Sequence, residues 1–404
     1  MKSKLFGRYE LCHKLATGGM AELFLAIQRG RSGFLRAVVI KRLFRHLADD
    51  ARVLQLFKNE ALLLGSLDHP GLPQVYEFGA AEGQWYMAME HVRGHSVAQV
   101  LEASAEAGIF IPLPVACAIV IQAADALGYA HQFRNPRSGI AEVVHRDVTP
   151  DNLMVTETGH IKVLDFGVAQ TAEGTGTHSG VVTGTYAYMP PEQVHGRKLD
   201  HRVDVYALGV ILYELATNSR LFMGTDLEVM TAVVEREVPP PSARRPEIPA
   251  ALQDIIMRTL EKERMRRLAG ASELALGLES LALNAGWLLG SHVIRDHLRA
   301  ISSKLSRSTE FDLPHMDIGT ALSAGRDVEL LSSHGALEHF DDDSMLEDIR
   351  MLAEPLGGAE VGPQGGQALE FGPDALSGDL GEARAGEGSA RPRSARGGAP
   401  KPSK

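Results

Sequence analysis

Three short stretches bounded by apolar residues carry the side chains best suited to chemistry in this sequence. They are AVVIK, which ends at Lys41, VVHRDVTPDNLMV at 143–155, and KVLDFG, which contains Asp165. Phosphoryl transfer needs a cation and a metal ion to neutralise phosphate charge, a group that aligns the acceptor hydroxyl, and exclusion of water. The sequence offers a candidate for each requirement in chain order, so chemistry on a phosphate is our first hypothesis.

Lys41 needs a partner, because an unpaired charge at the end of an apolar strand is costly to bury. Glu60 is a candidate, since it lies in the stretch 49–66, which we predict to be an amphipathic helix. Aspartates at its start suit an N-cap. Its apolar residues recur at spacings of three and four: Leu54, Phe57, Ala61 and Leu64.

The elements around this helix differ between the two parts of the chain. Residues 9–92 contain short β-branched or aromatic runs separated by glycine or charged turns, which predicts a sheet. From about 96 to 283 helical patterns dominate, apart from short strands near 153–156 and 161–164. The stretch 202–217 is apolar on nearly every face and predicts a buried central helix. Helical spacing also predicts a final packed helix, through Trp287, Ile294, Leu298, Ile301 and Leu305.

The order and spacing of these motifs resemble the protein kinase fold, and specifically the eukaryotic-like (Hanks-type) serine/threonine kinases of bacteria. The resemblance covers residues 9–283. It implies an α+β, bilobal architecture, with an N-terminal antiparallel sheet lobe that has one main helix (9–92) and a larger helical C-terminal lobe (93–283). We predict a helical extension over 284–305. The segment 306–404, acidic and then rich in Gly, Ala and Pro with basic residues, is predicted to be largely disordered.

The resemblance implies a role for each motif residue. Lys41, held by Glu60, would contact the nucleotide phosphates, and Asp147 would accept or orient the proton of the substrate hydroxyl. Asn152 and Asp165 would bind Mg²⁺, with Mn²⁺ as an alternative ion, through hard oxygen ligands. Contacts to ATP are further expected along the glycine-rich loop, the sheet and the hinge between the lobes, where Met89 is the gatekeeper: Leu15, Gly18, Gly19, Leu23, Val39, Glu90 and Val92.

The stretch between Asp165 and Glu192 resembles an activation segment that ends in PPE rather than APE. Its hydroxyl residues are candidate phosphorylation sites, and Arg146 is a candidate partner for a phosphate there. The alternative is a polar loop whose hydroxyls have no individual role. The candidates for autophosphorylation are Thr175, Thr177, Ser179 and Thr183.

Two motifs depart from the family pattern. Thr149 replaces the lysine that in the family contacts the transferred phosphate and the catalytic aspartate, and Ala16 and Ala21 replace glycines of the GxGxxG loop. Loss of one such electrostatic contact costs on the order of 10²-fold in rate if nothing compensates. An active serine/threonine kinase is our leading hypothesis, because the other motif residues are intact. The alternatives are a nucleotide-binding pseudokinase scaffold and, less favoured, a small-molecule kinase.

Composition limits the partners and the location. A formal net charge of -10 over 404 residues argues against nucleic acid as the main partner. The apolar stretch 112–131 is interrupted by polar residues and predicts a buried helix rather than a membrane span, and no export signal is recognised. We therefore expect a cytoplasmic protein that acts on protein substrates in signalling. The segment 306–404 is a candidate docking site for a regulatory partner, and Asp151 is expected to attract a basic residue near the target site.

Overall fold

The N-terminal lobe is a six-stranded antiparallel sheet in the order β1-β2-β3-β4-β6-β5. The computed structural model describes residues 4–30, 34–134, 142–166 and 185–305. Adjacent strands of this sheet pair antiparallel throughout. The strands are β1 Lys4–Phe6, β2 Tyr9–Thr17, β3 Ala21–Arg29, β4 Leu35–Leu43, β5 Val75–Ala81 and β6 Gln84–Glu90.

Helix α1, Ala51–Ser66, packs on this sheet as its apolar spacing predicts. The side chain of Asp50 accepts a hydrogen bond from the Arg52 backbone N–H at 2.9 Å, which caps the helix N-terminus. The buried side of α1 includes Phe57, whose ring lies 5.8 Å from that of Phe78 on β5. Glu60 lies on the same buried side, so packing of α1 fixes its position.

Strand β1 was not predicted, because its three residues include no β-branched side chain. It pairs with β2 and places the fully buried Phe6 edge-on against Tyr86, with ring centroids 5.4 Å apart. Phe6 and Tyr86 belong to a small core separate from the main one, which also contains Tyr9, Leu11, Ala26, Val38, Ile40 and Ala88. The six-stranded sheet thus has its own apolar core besides the contact with α1.

A second, three-stranded sheet in the order β7-β8-β9 follows the hinge between the lobes. Its strands are β7 Gly94–Ser96, β8 Leu153–Thr156 and β9 Ile161–Val163. Gly94 has φ 154°, and a Cβ atom there would lie 2.0 Å from the Val155 carbonyl oxygen. Only glycine fits at this crossing of β7 and β8.

Helices form the rest of the C-terminal lobe. They are α2 Val97–Glu106, α3 Leu113–Gln132, α4 Pro191–Val194, α5 Arg202–Thr217, α6 Asp226–Glu235, α7 Ala250–Thr259, α8 Ala271–Ala285 and α9 Ser291–Ala300. Helix α3 packs against α5, α8 and α9, and α5 is buried along nearly its whole length. By length and composition alone α3 could cross a membrane. However, 72% of its apolar 18-residue stretch is buried inside the protein. The predicted α+β, bilobal kinase fold is confirmed.

The last helix is shorter than the sequence pattern suggested. Gly286 ends α8 in a left-handed conformation with φ 66°, so Trp287 lies in the connection and outside α9. Ile294 and Leu298 are buried on α9. This helix is tied to α2 by a buried hydrogen bond between Ser104 Oγ and His297 Nε2 at 2.9 Å.

Candidate active site

Lys41 and Glu60 form a buried ion pair in the N-terminal lobe. Lys41 lies opposite Leu23 and Met87 in the sheet, and its Nζ donates a hydrogen bond to Glu60 Oε1. The two side chains are 14% and 3% exposed. Burial disfavours the charge on Lys41, but attraction by Glu60 and Asp165 outweighs burial and raises the pKa of Lys41. The lysine therefore stays cationic at neutral pH, with Asp165 of the other lobe within electrostatic reach.

The catalytic loop brings Asp147 and Asn152 together. The Asn152 side-chain Nδ2 donates to the Asp147 backbone carbonyl at 2.7 Å and approaches its carboxylate oxygen Oδ2 at 3.3 Å. Because the amide nitrogen is used in this way, the amide oxygen of Asn152 is the atom left for a metal ion. That assignment agrees with the oxygen ligands that Mg²⁺ prefers.

Asp204, at the start of α5, fixes the backbone of the catalytic loop. It is 1% exposed, and its two carboxylate oxygens accept hydrogen bonds from the backbone N–H groups of His145 at 2.9 Å and Arg146 at 2.8 Å. The His131 side chain lies 2.7 Å from the same carboxylate. Burial opposes the negative charge, but these contacts together lower the pKa of Asp204. The carboxylate is therefore ionised at neutral pH and fixes the backbone just before Asp147.

His145 links the catalytic loop to the segment after β9 that carries Asp165. It is fully buried, its Nε2 lies 2.8 Å from the Leu164 carbonyl oxygen, and its Nδ1 accepts from the Asp147 backbone N–H at 3.3 Å. In this pattern Nε2 faces an acceptor and Nδ1 faces a donor. Its ring also packs on Phe166, with centroids 4.6 Å apart. Asp165, between Leu164 and Phe166, has φ 54° and an exposed side chain.

The expected adenine contacts lie along the strands and hinge of the N-terminal lobe. Val39 on β4 pairs with Met89 on β6, and Leu25 lies on its other side. Leu15 on β2 is 40% exposed. Leu23, Val39, Met89 and Val92 are partly buried. The structure thus places these apolar side chains along the β2, β3, β4 and β6 strands and the hinge that follows, as a cover for an adenine ring requires.

Glu90 uses its side chain to join the hinge to the C-terminal lobe. Its carboxylate lies 2.8 Å from Lys162 Nζ on β9 and accepts from the Gln74 backbone N–H at 3.2 Å. Lys162 also donates to the Leu72 carbonyl at 3.0 Å. The carboxylate is therefore engaged within the protein, so the predicted contact of Glu90 with a nucleotide would have to use its backbone.

The glycine-rich loop is a turn between β2 and β3. The Gly18 backbone N–H donates to the Ala21 carbonyl at 2.8 Å, and Ala16 pairs with Leu23. A Cβ atom at Gly18 would meet only the Ala21 oxygen, at 3.5 Å, which is ordinary van der Waals contact. Gly19 is exposed beside it. The added methyl groups of Ala16 and Ala21 are thus accommodated in this hairpin, whose register shifts between Lys14 and Ala16.

Thr149 is part of the loop's hydrogen bonding. It is 7% exposed, and its hydroxyl oxygen and backbone carbonyl both face the Asn152 backbone N–H, at 3.3 and 3.1 Å. Threonine therefore closes the turn that carries Asn152. The hydroxyl provides this contact and no positive charge.

The predicted activation segment is described only at its end. Thr175, Thr177, Ser179 and Thr183 lie outside the described residues. Beyond them, Glu192 and Arg267 form a buried ion pair with two hydrogen bonds of 2.6 and 2.8 Å. This pair holds the end of the segment on the large lobe.

His131 and His145 were not assigned roles from the sequence, although both bear on the site. Neither has a local signature, because their contacts reach residues 73 and 19 positions away along the chain. The histidine of the HRD motif was the one signal available. Its burial and its tautomer become visible only when Leu164 is brought beside it.

These features define a class of protein. The family model described as "Protein kinase domain" matches residues 9–276, well over half of the chain. The chain therefore belongs to the protein kinase family, as a Hanks-type kinase of the bacterial group.

Particular relatives make the comparison more specific. The chain is 36% identical over 362 residues to the tyrosine-protein kinase MasK of Myxococcus xanthus, covering 89% of this chain and 51% of that protein. It is 32% identical over 280 residues to the serine/threonine-protein kinase PrkC of Bacillus subtilis, covering 69% and 41%. The crystal structure of the Mycobacterium tuberculosis PknI kinase domain superposes with a TM-score of 0.50 at 26% identity, covering 69% of this chain and 98% of that one. The chain spans about half the length of the curated relatives it matches.

Proposed function

We propose that this protein is an ATP-dependent protein kinase that phosphorylates serine and threonine hydroxyls in intracellular signalling. One observation carries the proposal. The buried Lys41–Glu60 pair of the N-terminal lobe lies within electrostatic reach of Asp165, which His145 and Phe166 connect to the catalytic loop. A cation for phosphate, oxygen ligands for a metal ion and a carboxylate for the acceptor thus converge on one cleft.

The residues of this cleft fit ATP and Mg²⁺. The exposed carboxylate of Asp165 and the amide oxygen of Asn152 are hard ligands, and Lys41 is a fixed cation for phosphate oxygens. When bound, Mg²⁺ would neutralise phosphate charge and orient the transferred group. Glu60 keeps Lys41 cationic and Asp147 holds the Asn152 amide, so these two groups are preorganised before the substrate arrives.

Different residues of the chain would bind the phosphates, orient the acceptor hydroxyl and fix the catalytic loop. Glu60 holds Lys41 against the phosphates, and Asp147 accepts or orients the proton of the substrate hydroxyl. Asn152 positions the Asp147 carboxylate through its amide nitrogen. Asp204 keeps the backbone before Asp147 in place.

The test is incubation of the purified protein with radiolabelled ATP, Mg²⁺ and a generic protein substrate, beside Lys41→Ala and Asp147→Asn variants. We expect label on the wild type and on the substrate, and a loss of at least about 10²-fold in both variants. No label above the variants would contradict the proposal. Equal label in all three samples would identify a contaminating kinase. Repeating the assay with Mn²⁺ tests the alternative ion.

Residue specificity is a separate part of the proposal. The VTPDN sequence at 148–152 is nearer the serine/threonine pattern than the tyrosine-kinase AARN or RAAN pattern. MasK is named as a tyrosine kinase, so the phosphorylated residues must be identified directly. Acid hydrolysis followed by separation of phosphoamino acids is expected to give phosphoserine and phosphothreonine. Phosphotyrosine alone would contradict this part.

Regulation is proposed to occur through two segments outside the described residues. Autophosphorylation at Thr175, Thr177, Ser179 or Thr183 would add charge near Arg146, and the segment 306–404 would bind a regulatory partner in the cytoplasm. Phosphosite mapping by mass spectrometry is expected to find phosphate between Asp165 and Glu192. Deletion of 306–404 is expected to change partner binding or activity. Phosphate only in that segment, or no effect of its deletion, would contradict these proposals.

A further inference from the structure

A buried carboxylate lies beside the catalytic loop on the side where a protein substrate would approach. Tyr188 lines the same small cavity as Asp147 and Thr149, and its hydroxyl donates to Glu214 at 2.8 Å. Glu214 is fully buried and also accepts from the Leu221 backbone N–H at 3.0 Å. Its carboxylate is therefore satisfied from within the protein and is not available to a basic residue of a substrate.

Arg220 is the third partner of this carboxylate. Its Nη1 lies 3.2 Å from Glu214 Oε2 and also donates to the Tyr188 hydroxyl. The Arg220 side chain is nevertheless 48% exposed. Among the residues that the structure describes, no hydrogen bond joins its Nε or Nη2 to another group. One edge of the guanidinium is thus fixed, and the rest is open to a ligand.

A second arginine lies next to Arg220. Arg244 donates from Nη1 to the Arg220 carbonyl at 2.7 Å and to Ser219 Oγ at 2.8 Å, and its side chain lies over the Tyr213 ring. Arg244 is exposed, as is Asp151, the acidic neighbour on the catalytic loop side. The described charged side chains exposed here thus include Arg220, Arg244 and Asp151, and one edge of Arg220 is paired with the buried Glu214.

We propose that Arg220 and Arg244 form a cationic subsite that binds a carboxylate or phosphate group of the protein substrate close to its acceptor hydroxyl. This inference rests on the proposed kinase function and deepens it. Arginine binds both anions through paired N–H donors, and the Glu214 and Tyr188 contacts orient Arg220 in advance. The expected preference is thus acidic, and the basic preference suggested by Asp151 alone is reversed by its neighbours.

The test measures peptide binding and phosphate transfer separately with the full chain. Four fluorescent peptides share a central serine and differ only in flanking residues, which are alanine, arginine, glutamate or phosphoserine. By fluorescence anisotropy we expect the glutamate peptide to bind about tenfold more tightly than the arginine peptide, a ratio in keeping with one or two charge-assisted hydrogen bonds. Comparison of the glutamate and phosphoserine peptides shows which anion the subsite prefers.

Variants then assign the preference to this face. Replacing Arg220→Gln and Glu214→Gln together avoids a buried unpaired charge and is expected to abolish the preference. Arg244→Gln, at an exposed position, is expected to reduce it about threefold and serves if the double variant does not fold. Arg266→Gln is the matched control, because that side chain is 70% exposed and pairs only with Glu263 in the described part of the chain.

The two proposals fail in different ways. An equal or basic preference in the wild type, or a preference that persists in both the double variant and Arg244→Gln, would overturn the subsite. Phosphate transfer with no preference among the four peptides would also overturn the subsite. Preferential binding of acidic peptides without transfer would instead contradict the kinase function and leave the subsite supported.

Discussion

Asp204 holds Arg146 in a left-handed backbone conformation. The Arg146 backbone N–H donates to Asp204 Oδ1 at 2.8 Å, across 58 residues of sequence, and Arg146 has φ 67°. Such a conformation costs a non-glycine residue on the order of 1–3 kcal/mol. The buried carboxylate offsets this cost and fixes the residue that precedes Asp147.

Replacing Asp204→Asn should therefore impair both stability and turnover. The amide cannot accept from both backbone donors and His131 as the carboxylate does, so we expect the free energy of unfolding to fall by about 3–5 kcal/mol. Urea denaturation followed by circular dichroism measures this loss. Asp254→Asn on α7, an exposed control, should change it by less than about 0.5 kcal/mol. Equal effects of the two changes would contradict the role given to Asp204.

Thr149 provides a second prediction, because its hydroxyl contributes to the Asn152 turn. Thr149→Ser keeps the acceptor and should leave kcat within about threefold, whereas Thr149→Val removes it and should lower kcat about tenfold, the equivalent of one hydrogen bond. Steady-state kinetics with a fixed protein substrate measures both. Thr149→Lys adds the charge of the family pattern but loses the acceptor, so we expect no gain above about tenfold. A larger increase in kcat would show that the missing lysine charge limits the rate of the wild-type enzyme.

Gly94 and Gly65 give a matched pair of glycine substitutions. At Gly94 a methyl group would meet the Val155 carbonyl, so Gly94→Ala should lower the free energy of unfolding by at least about 2 kcal/mol. Gly65 lies in α1 with nothing within 4 Å of an added Cβ. There the same change should raise the free energy of unfolding by about 0.5–1 kcal/mol, because alanine favours helix. Denaturant titrations at one pH compare the two. A lower free energy of unfolding in both variants would contradict the view that a close backbone contact excludes a side chain at Gly94 but not at Gly65.

The buried His297 predicts a dependence of stability on pH. Its burial lowers its pKa below the ordinary value, so the unfolded chain takes up the proton first as the pH falls. The part of the free energy of unfolding that depends on uncharged His297 is fully present above about pH 6.5. It is lost as the pH falls below that value, at up to about 1.4 kcal/mol per pH unit for one group. Unfolding free energies measured from pH 7 to 5 should fall less steeply in His297→Gln, whose amide can still donate to Ser104.

His292→Gln is the control for this experiment, since His292 is exposed on the same helix α9. It should leave the slope unchanged. An unaltered slope in His297→Gln would show that other groups dominate the acid dependence. His91 and His95, whose pKa values are also lowered by burial, are the first of these to test.

Much of the fold could be predicted because its elements carry local patterns. Helix α1 with its Asp50 cap and the buried helix α5 were predicted close to their observed bounds, and the β-branched and aromatic runs over 9–92 predicted the sheet that contains strands β2 to β6. Strands β1 and β7 could not be predicted in this way. Neither contains a β-branched residue, whereas the equally short β9 contains two, and both are defined by pairing with another strand.

The active site likewise has features that the sequence predicts and features that only packing shows. The sequence alone named Lys41, Glu60, Asp147, Asn152 and Asp165, because their motifs resemble those of the protein kinase family in order and spacing. The sequence could not show that Glu214 is neutralised by Arg220, nor that His145 bridges two motifs. These contacts join positions that only packing brings together.

The sequence by itself therefore determined the architecture and the types of group available for chemistry, since both depend on short-range patterns of polarity and residue type. The tertiary structure decided the charge state, orientation and accessibility of those groups. These properties depend on burial and on partners far away along the chain. Asp151 shows the difference: taken alone it favours a basic substrate, whereas the fold places it within electrostatic reach of Arg220, whose guanidinium is bound to the buried Glu214 and is half exposed.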